Sequence, residues 1–210
     1  RRSALSLPDV SRGVTALMAE LGMAPRAIVG HSAGAAIAIR MALDTPTPPR
    51  DIVSINGALL PFGGPFGQWA SGLARLLAYN PLTLHYFARR AATPGAVAQL
   101  ISGTGSSIDA EGIDLYERLM RRTGHLEGAV GLIAHWDLDT LKRDLPALQT
   151  RLVLIVGDRD RAVRPGDARS IARLARDVRV TPAPGLGHLA HEEAPHAIAD
   201  MIFDALQDPE

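Results

Sequence analysis

The stretch Arg26-Ala27-Ile28-Val29-Gly30-His31-Ser32-Ala33-Gly34-Ala35-Ala36-Ile37-Ala38 decides the fold. Its first four residues are β-prone and stop at Gly30, and the run from Ala33 to Leu43 is alanine-rich and free of breakers. A strand, a sharp turn between glycines and a helix therefore succeed one another. Gly30-His31-Ser32-Ala33-Gly34 has the pattern of a nucleophile elbow, in which small neighbours leave room for a serine in strained backbone geometry. The Ser32 hydroxyl would project from the sheet edge. The N–H of Ala33, at the helix start, would face the negative charge that develops on an attacked carbonyl.

Working outward, Leu7-Pro8-Asp9-Val10 opens a helix with Val10, Val14, Leu17, Met18 and Leu21 on one buried face and Gly22 just past its end. Downstream, Asp51–Ile55, Leu152–Val156 and Val178–Val180 read as strands. Pro195 to Leu206 reads as a closing helix with Ile198, Ile202 and Leu206 on one face. Nearly continuous aliphatic runs suit strands covered on both sides. The class is α/β, a mostly parallel sheet with flanking helices, built from residues 1–60 and 145–210. Residues 61–144 hold no convincing strand. They begin with Pro61-Phe62-Gly63-Gly64-Pro65-Phe66-Gly67 and continue in helical patterns at Trp69–Tyr79, Leu82–Arg90 and Ala110–Arg122. An all-helical insertion leaving a strand end is expected to be a lid over the site.

Composition narrows the function. With 47% hydrophobic and 21% charged residues in 210, the chain is neither disordered nor a bundle of membrane spans, and one domain is the default. The longest uncharged apolar run near the start, Ala33 to Ile39, is too short to cross a bilayer. Twenty-two basic residues balance 22 acidic ones, so no net field attracts nucleic acid. Absence of cysteine removes disulfides, thiolate metal sites and cysteine nucleophiles together, and fits a cytoplasmic protein. Lys142 is the only lysine, the codon bias of a GC-rich bacterial genome.

A serine nucleophile needs a base, and the base an orienting acid. Asp158 and Asp160 both follow the strongest strand, and His188 follows the last one and its turn, so all fall at the edge where Ser32 sits. Asp158 could instead cap the turn. His31 reads as a packed neighbour of the elbow, and His125 and His135 as structural. His191-Glu192-Glu193 reads as the polar start of the last helix rather than a metal cluster. Gly103-Thr104-Gly105 lacks the lysine and spacing of a phosphate loop and reads as a plain connection. Eight of the nine aromatic residues fall in the insertion. They are either its core or the wall of a pocket for a large flat apolar ligand, with Phe62, Phe66, Trp69 and Trp136 the candidate contacts.

On these residues the chain resembles the α/β-hydrolase superfamily over essentially its whole length. Gly157-Asp158-Arg159-Asp160-Arg161-Ala162-Val163 is similar to that family's acid loop, which implies Asp160 as the acid. Gly187-His188-Leu189-Ala190-His191 resembles its histidine loop, which implies His188 as the base. The family's second acid position is held here by Asn56, which carries no charge. A relative that opens epoxides or displaces halide would carry aspartate at the elbow, against which Ser32 argues. A narrower resemblance rests on Gly30–Ala38, Asn56–Gly64, Gly103–Ser106 and His135–Leu138. These are similar to the magnesium-chelatase accessory proteins of bacteriochlorophyll biosynthesis. That resemblance implies a cytoplasmic role near magnesium insertion, a porphyrin as ligand and magnesium chelatase as partner, and defines no reaction.

Two functions emerge as expectations. One is a serine hydrolase needing no metal or organic cofactor and acting on a small-molecule ester or amide. The other is a carrier that holds a porphyrin without turning it over. In the family, further strands and the loop giving a second oxyanion N–H lie upstream of the part matched here. Without them the chain is expected to be less than fully stable and active, since one missing oxyanion donor costs about 2.7–4 kcal/mol in the transition state.

Overall fold

Four parallel strands lie side by side in the order of the chain: β1 (Ala27–His31), β2 (Asp51–Ile55), β3 (Arg151–Gly157) and β4 (Val178–Ala183). The computed structural model describes residues 5–61, 93 and 95–207. Register aligns Ala27, Asp51 and Arg151 at one end and His31, Ile55, Ile155 and Thr181 at the other. Parallel neighbours need crossovers. Helix α2 (Ala33–Asp44) joins β1 to β2, and α7 (Asp167–Leu174) joins β3 to β4. Strand β4 runs past its expected end at Val180 through Pro182, which an outermost strand tolerates because its missing N–H costs no inner ladder bond.

Alternation of side chains across β2 and β3 divides the core. Ile52, Leu152 and Leu154 turn to one face and join Ala35, Ala36, Ile39 and Ala42 of α2 with Ala168 and Ile171 of α7. Val53, Ile55, Val153 and Ile155 turn to the other and meet Ile198 and Ala205 of the closing helix α9 (Pro195–Gln207). Each fully buried leucine or isoleucine contributes about 1.5–3 kcal/mol. At the strand starts, Arg151 Nε donates to the buried Asp51 carboxylate at 2.6 Å and its guanidinium also reaches the Ala205 carbonyl at 2.8 Å. Sheet and closing helix are thereby tied together away from the site.

Helix α1 (Leu7–Glu20) starts as expected, with Ser6 accepting from the Asp9 N–H, and Gly22 takes the left-handed φ of 63° after its end. Its buried face is corrected. Leu7 and Ser11 are buried and Val10, Val14 and Met18 half-buried, whereas Leu17 and Leu21 are 58% and 63% exposed. Apolar positions spread over a wide arc, and only the part of it that meets α2 is covered.

Among its described residues, the segment between β2 and β3 holds helices and no strand. These are α3 (Ala96–Gly103), α4 (Ala110–Met120), α5 (Thr123–Ala134) and α6 (Leu138–Asp144), then a 3-10 turn at Leu145–Ala147. The helices expected at Trp69–Tyr79 and Leu82–Arg90 lie outside the described residues. Leu138 and Leu141 of α6 pack in the same cluster as Leu145 and Leu148, so α6 belongs with the sheet's core. Among the described residues no helix is long and apolar enough to cross a membrane.

Candidate active site

β1 and β2 end level with Ile155, β3 and β4 run two residues further to Gly157 and Ala183, and the residues past these ends face one another. Ser32 directly follows β1 and takes φ 50° and ψ −115° before α2 begins. Its N–H donates to the Ile55 carbonyl, and its own carbonyl accepts from Ala35 and Ala58. This non-glycine residue in the left-handed region is held at both backbone ends, which is how a local cost of about 1–3 kcal/mol is sustained. A Cβ on Gly30 would lie 2.6 Å from the backbone of Gly34 and Ala35, so this glycine is sterically required. Gly34 is not, since a Cβ there meets nothing within 4 Å. Ala33 is the first residue of α2, and its N–H has no acceptor within the helix.

Asp160 follows β3 and is buried. One carboxylate oxygen accepts from the N–H groups of Ala162 and Val163, both at 2.8 Å. The other lies 2.8 Å from His188 Nδ1. On the far side of that ring, Nε2 lies 3.0 Å from Ser32 Oγ. A carboxylate accepts, so Nδ1 carries the proton and Nε2 presents its lone pair to the hydroxyl. The three side chains thus form one hydrogen-bonded chain, the geometry in which a hydroxyl can be deprotonated as it attacks. Asp158 turns elsewhere and accepts from the Gly185 N–H at 2.7 Å, capping the turn after β4.

The loop carrying His188 is fastened at several backbone groups beside the ring. Glu193 accepts from Gly187 N–H, Ser106 Oγ accepts from Leu189 N–H, and Asn56 Nδ2 donates to the carbonyls of Gly187 and His188. His31 Nε2 adds a second donor to the His188 carbonyl at 2.9 Å. Burial pushes His31 down to about 4, so the ring is neutral near neutrality. Its ring also lies tilted against those of His188 and His191, and burial lowers the pKa of His191 as well.

Two sequence expectations change here. His191, Glu192 and Glu193 lie not in the last helix but in a separate turn, α8 (Ala190–Glu193), because Pro195 starts α9 afresh. Each has its own job: His191 stacks on His31, Glu192 accepts from Tyr116 Oη at 2.6 Å, and Glu193 holds Gly187. The connection at Gly103–Ser106 is more than a plain loop. Thr104 O accepts from Arg161 N–H, and Gly105, at φ 86°, lies so near that a Cβ would overlap the Arg159 carbonyl. A Cβ on Gly187 would in turn strike the Gly105 backbone. This turn is wedged between the acid loop and the histidine loop, which sequence spacing alone did not reveal.

Helices α3 and α4 reach the site through the same region. Val97, Ile101 and the histidine-loop residue Leu189 form a small buried cluster, with Ile108, Ile113, Tyr116 and Met120 against it. Trp136 packs half-buried against the main core. Phe62, Phe66 and Trp69 lie outside the described residues.

The α/β hydrolase family model matches residues 1–201. Over 206 residues the chain is 36% identical to the "Magnesium-chelatase 30 kDa subunit" of Rhodobacter capsulatus, spanning 98% of this chain and 72% of that one. Among solved structures, an α/β hydrolase enzyme from a Medee basin deep-sea metagenome library superposes with a TM-score of 0.72 at 18% identity, over 99% of this chain and 74% of the other. An esterase from Exiguobacterium antarcticum gives 0.75 at 9% identity, over 99% and 76%. Structural likeness at such low identity speaks for the fold, while the family match and the relative speak for descent. The chain belongs to the α/β-hydrolase family.

Proposed function

We propose that this protein is a serine hydrolase acting on an ester or amide in or beside bacteriochlorophyll synthesis, at the magnesium-chelatase step in the cytoplasm. The carrying observation is the chain from Ser32 Oγ through His188 to Asp160, at 3.0 Å and 2.8 Å. In this reading Ser32 Oγ attacks the carbonyl carbon as His188 Nε2 takes its proton. Asp160 holds the imidazolium, and Ala33 N–H binds the oxyanion. Collapse of the tetrahedral intermediate returns the proton to the leaving group, and water then releases the acyl group by the same path reversed. The segment expected at 61–144 serves as the lid apart from α6, which packs with the sheet's core, and Phe62, Phe66, Trp69 and Trp136 lie against the substrate.

A second reading is favoured by the 36% identity to a magnesium-chelatase subunit. There the fold is a porphyrin-binding accessory that associates with the chelatase and turns nothing over. A fluorophosphonate probe separates the two. Labelling that disappears in Ser32→Ala supports the hydrolase. Absence of labelling in the wild type, together with saturable protoporphyrin binding, supports the accessory.

A further inference from the structure

Asn56 is 3% exposed and sits at the end of β2 with φ 47°, a left-handed conformation that asparagine accepts more readily than most residues. Its backbone N–H donates to the Ile155 carbonyl, which anchors it to β3. Its side chain then bridges two further loops. Oδ1 accepts from Gly157 N–H at 2.8 Å, and Nδ2 donates to Gly187 O at 2.8 Å and His188 O at 2.9 Å. A backbone N–H only donates and a carbonyl only accepts, so the orientation of the amide is dictated by its partners.

We propose that Asn56 is a positioning residue, whose amide fixes the backbone of the histidine loop and so aims the His188 ring between Asp160 and Ser32. An amide is the group of this size that offers an acceptor to one loop and two donor hydrogens to the other. Aspartate has nearly the same shape but, when ionised, sets an oxygen against two carbonyl oxygens. It also adds a second carboxylate near Asp160, with which Asn56 lines a cavity of about 20 Å³. Charged groups on that side are Asp160, Arg164 and Asp167. On the other side are His31 and His188, with His191 stacked on His31. None of these gives an aspartate at 56 the paired donors that the two carbonyls require.

Activity at the site rests on the hydrolase reading, but loop placement does not, so the test carries a readout for each. The full chain is compared with Asn56→Ala and Asn56→Asp. Proton NMR follows the downfield Nδ1–H of His188 in its bond to Asp160, and fluorophosphonate labelling of Ser32 is timed across pH. Asn56→Ala is expected to shift or lose the resonance and to label about 10- to 100-fold slower, the usual cost of a displaced catalytic group. Asn56→Asp is expected to behave differently at the two ends of the pH range. Protonated, its O–H donates to one carbonyl and the labelling rate stays near that of the wild type at the same pH. Ionised, it loses the clamp, and the ratio of rates falls by the same 10- to 100-fold as pH rises. If Asn56→Ala does not fold, the Asn56→Asp profile decides. A ratio independent of pH, or a resonance unmoved in the variants that fold, overturns the proposal. A wild type that never labels but whose resonance responds as described sinks the hydrolase reading and leaves Asn56 its positioning role.

Discussion

Asp160 divides its two carboxylate oxygens between different tasks: one is held by the N–H groups of Ala162 and Val163, and the other faces His188 Nδ1 at 2.8 Å. Asp160→Asn tests what that division does. The two N–H donors would keep the amide oxygen and turn its NH2 toward Nδ1. The imidazole would then have to carry its proton on Nε2, pointing at Ser32 Oγ, where it cannot act as a base. Labelling of Ser32 is expected to fall on the order of 10⁴-fold, as for the corresponding change in serine proteases, with the fold retained. A loss under tenfold would show that the carboxylate does not set the tautomer.

Burial lowers His31 from its ordinary 6.5 to about 4. Between those values the unfolded chain binds a proton at this position that the folded chain refuses. His31 therefore opposes folding increasingly as pH falls from 6.5 toward 4, and its penalty is absent above 6.5. His191 is shifted the same way by burial and adds to the slope. Melting temperatures measured across this window should fall less steeply in His31→Gln than in the wild type. Parallel curves would count against the burial argument.

Glycines at two turns should respond oppositely to alanine. Gly105→Ala places a Cβ in a left-handed backbone and onto the Arg159 carbonyl, so a cost of at least about 1–3 kcal/mol is expected, with slower labelling as the acid loop shifts. Gly34→Ala, near the start of α2 and with open space around it, is expected to gain about 0.5–1 kcal/mol. Denaturant titration of both variants settles the comparison.

Ser106→Ala removes the acceptor for the Leu189 N–H in a buried setting. A donor left unsatisfied there costs about 1–3 kcal/mol. Faster hydrogen exchange at the Leu189 amide is the local signature. If exchange there is unchanged, the loop has another anchor.

Sequence carried the strands, the elbow and the histidine, because each is announced locally by an aliphatic run, a Gly-x-Ser-x-Gly turn or a Gly-His pair after the last strand's turn. Two acids follow the strand-ending Gly157, and the family resemblance pointed to Asp160. Sequence did not carry the roles of Asn56 and Ser106. Their partners lie 101 to 132 and 83 positions away and are mostly backbone groups, which leave no mark on residue type. Leu17 and Leu21 misled for a related reason. Periodicity counts apolar side chains without knowing what stands opposite. Gly34 misled in another way, since a familiar pattern suggested crowding that the turn does not impose on it.

The common register of the four strands acts as a ruler. His31, Ile55, Ile155 and Thr181 share a level, so the connecting lengths from there to Ser32, Asp160 and His188 alone set the triangle's sides. Deleting one residue between Gly157 and Asp160 would retract the carboxylate by up to about 3.3 Å, a whole strand step. That exceeds the slack of any hydrogen bond. Substitutions in these connections are tolerable in a way that changes in their length are not, and redesign of this scaffold should preserve spacing before chemistry.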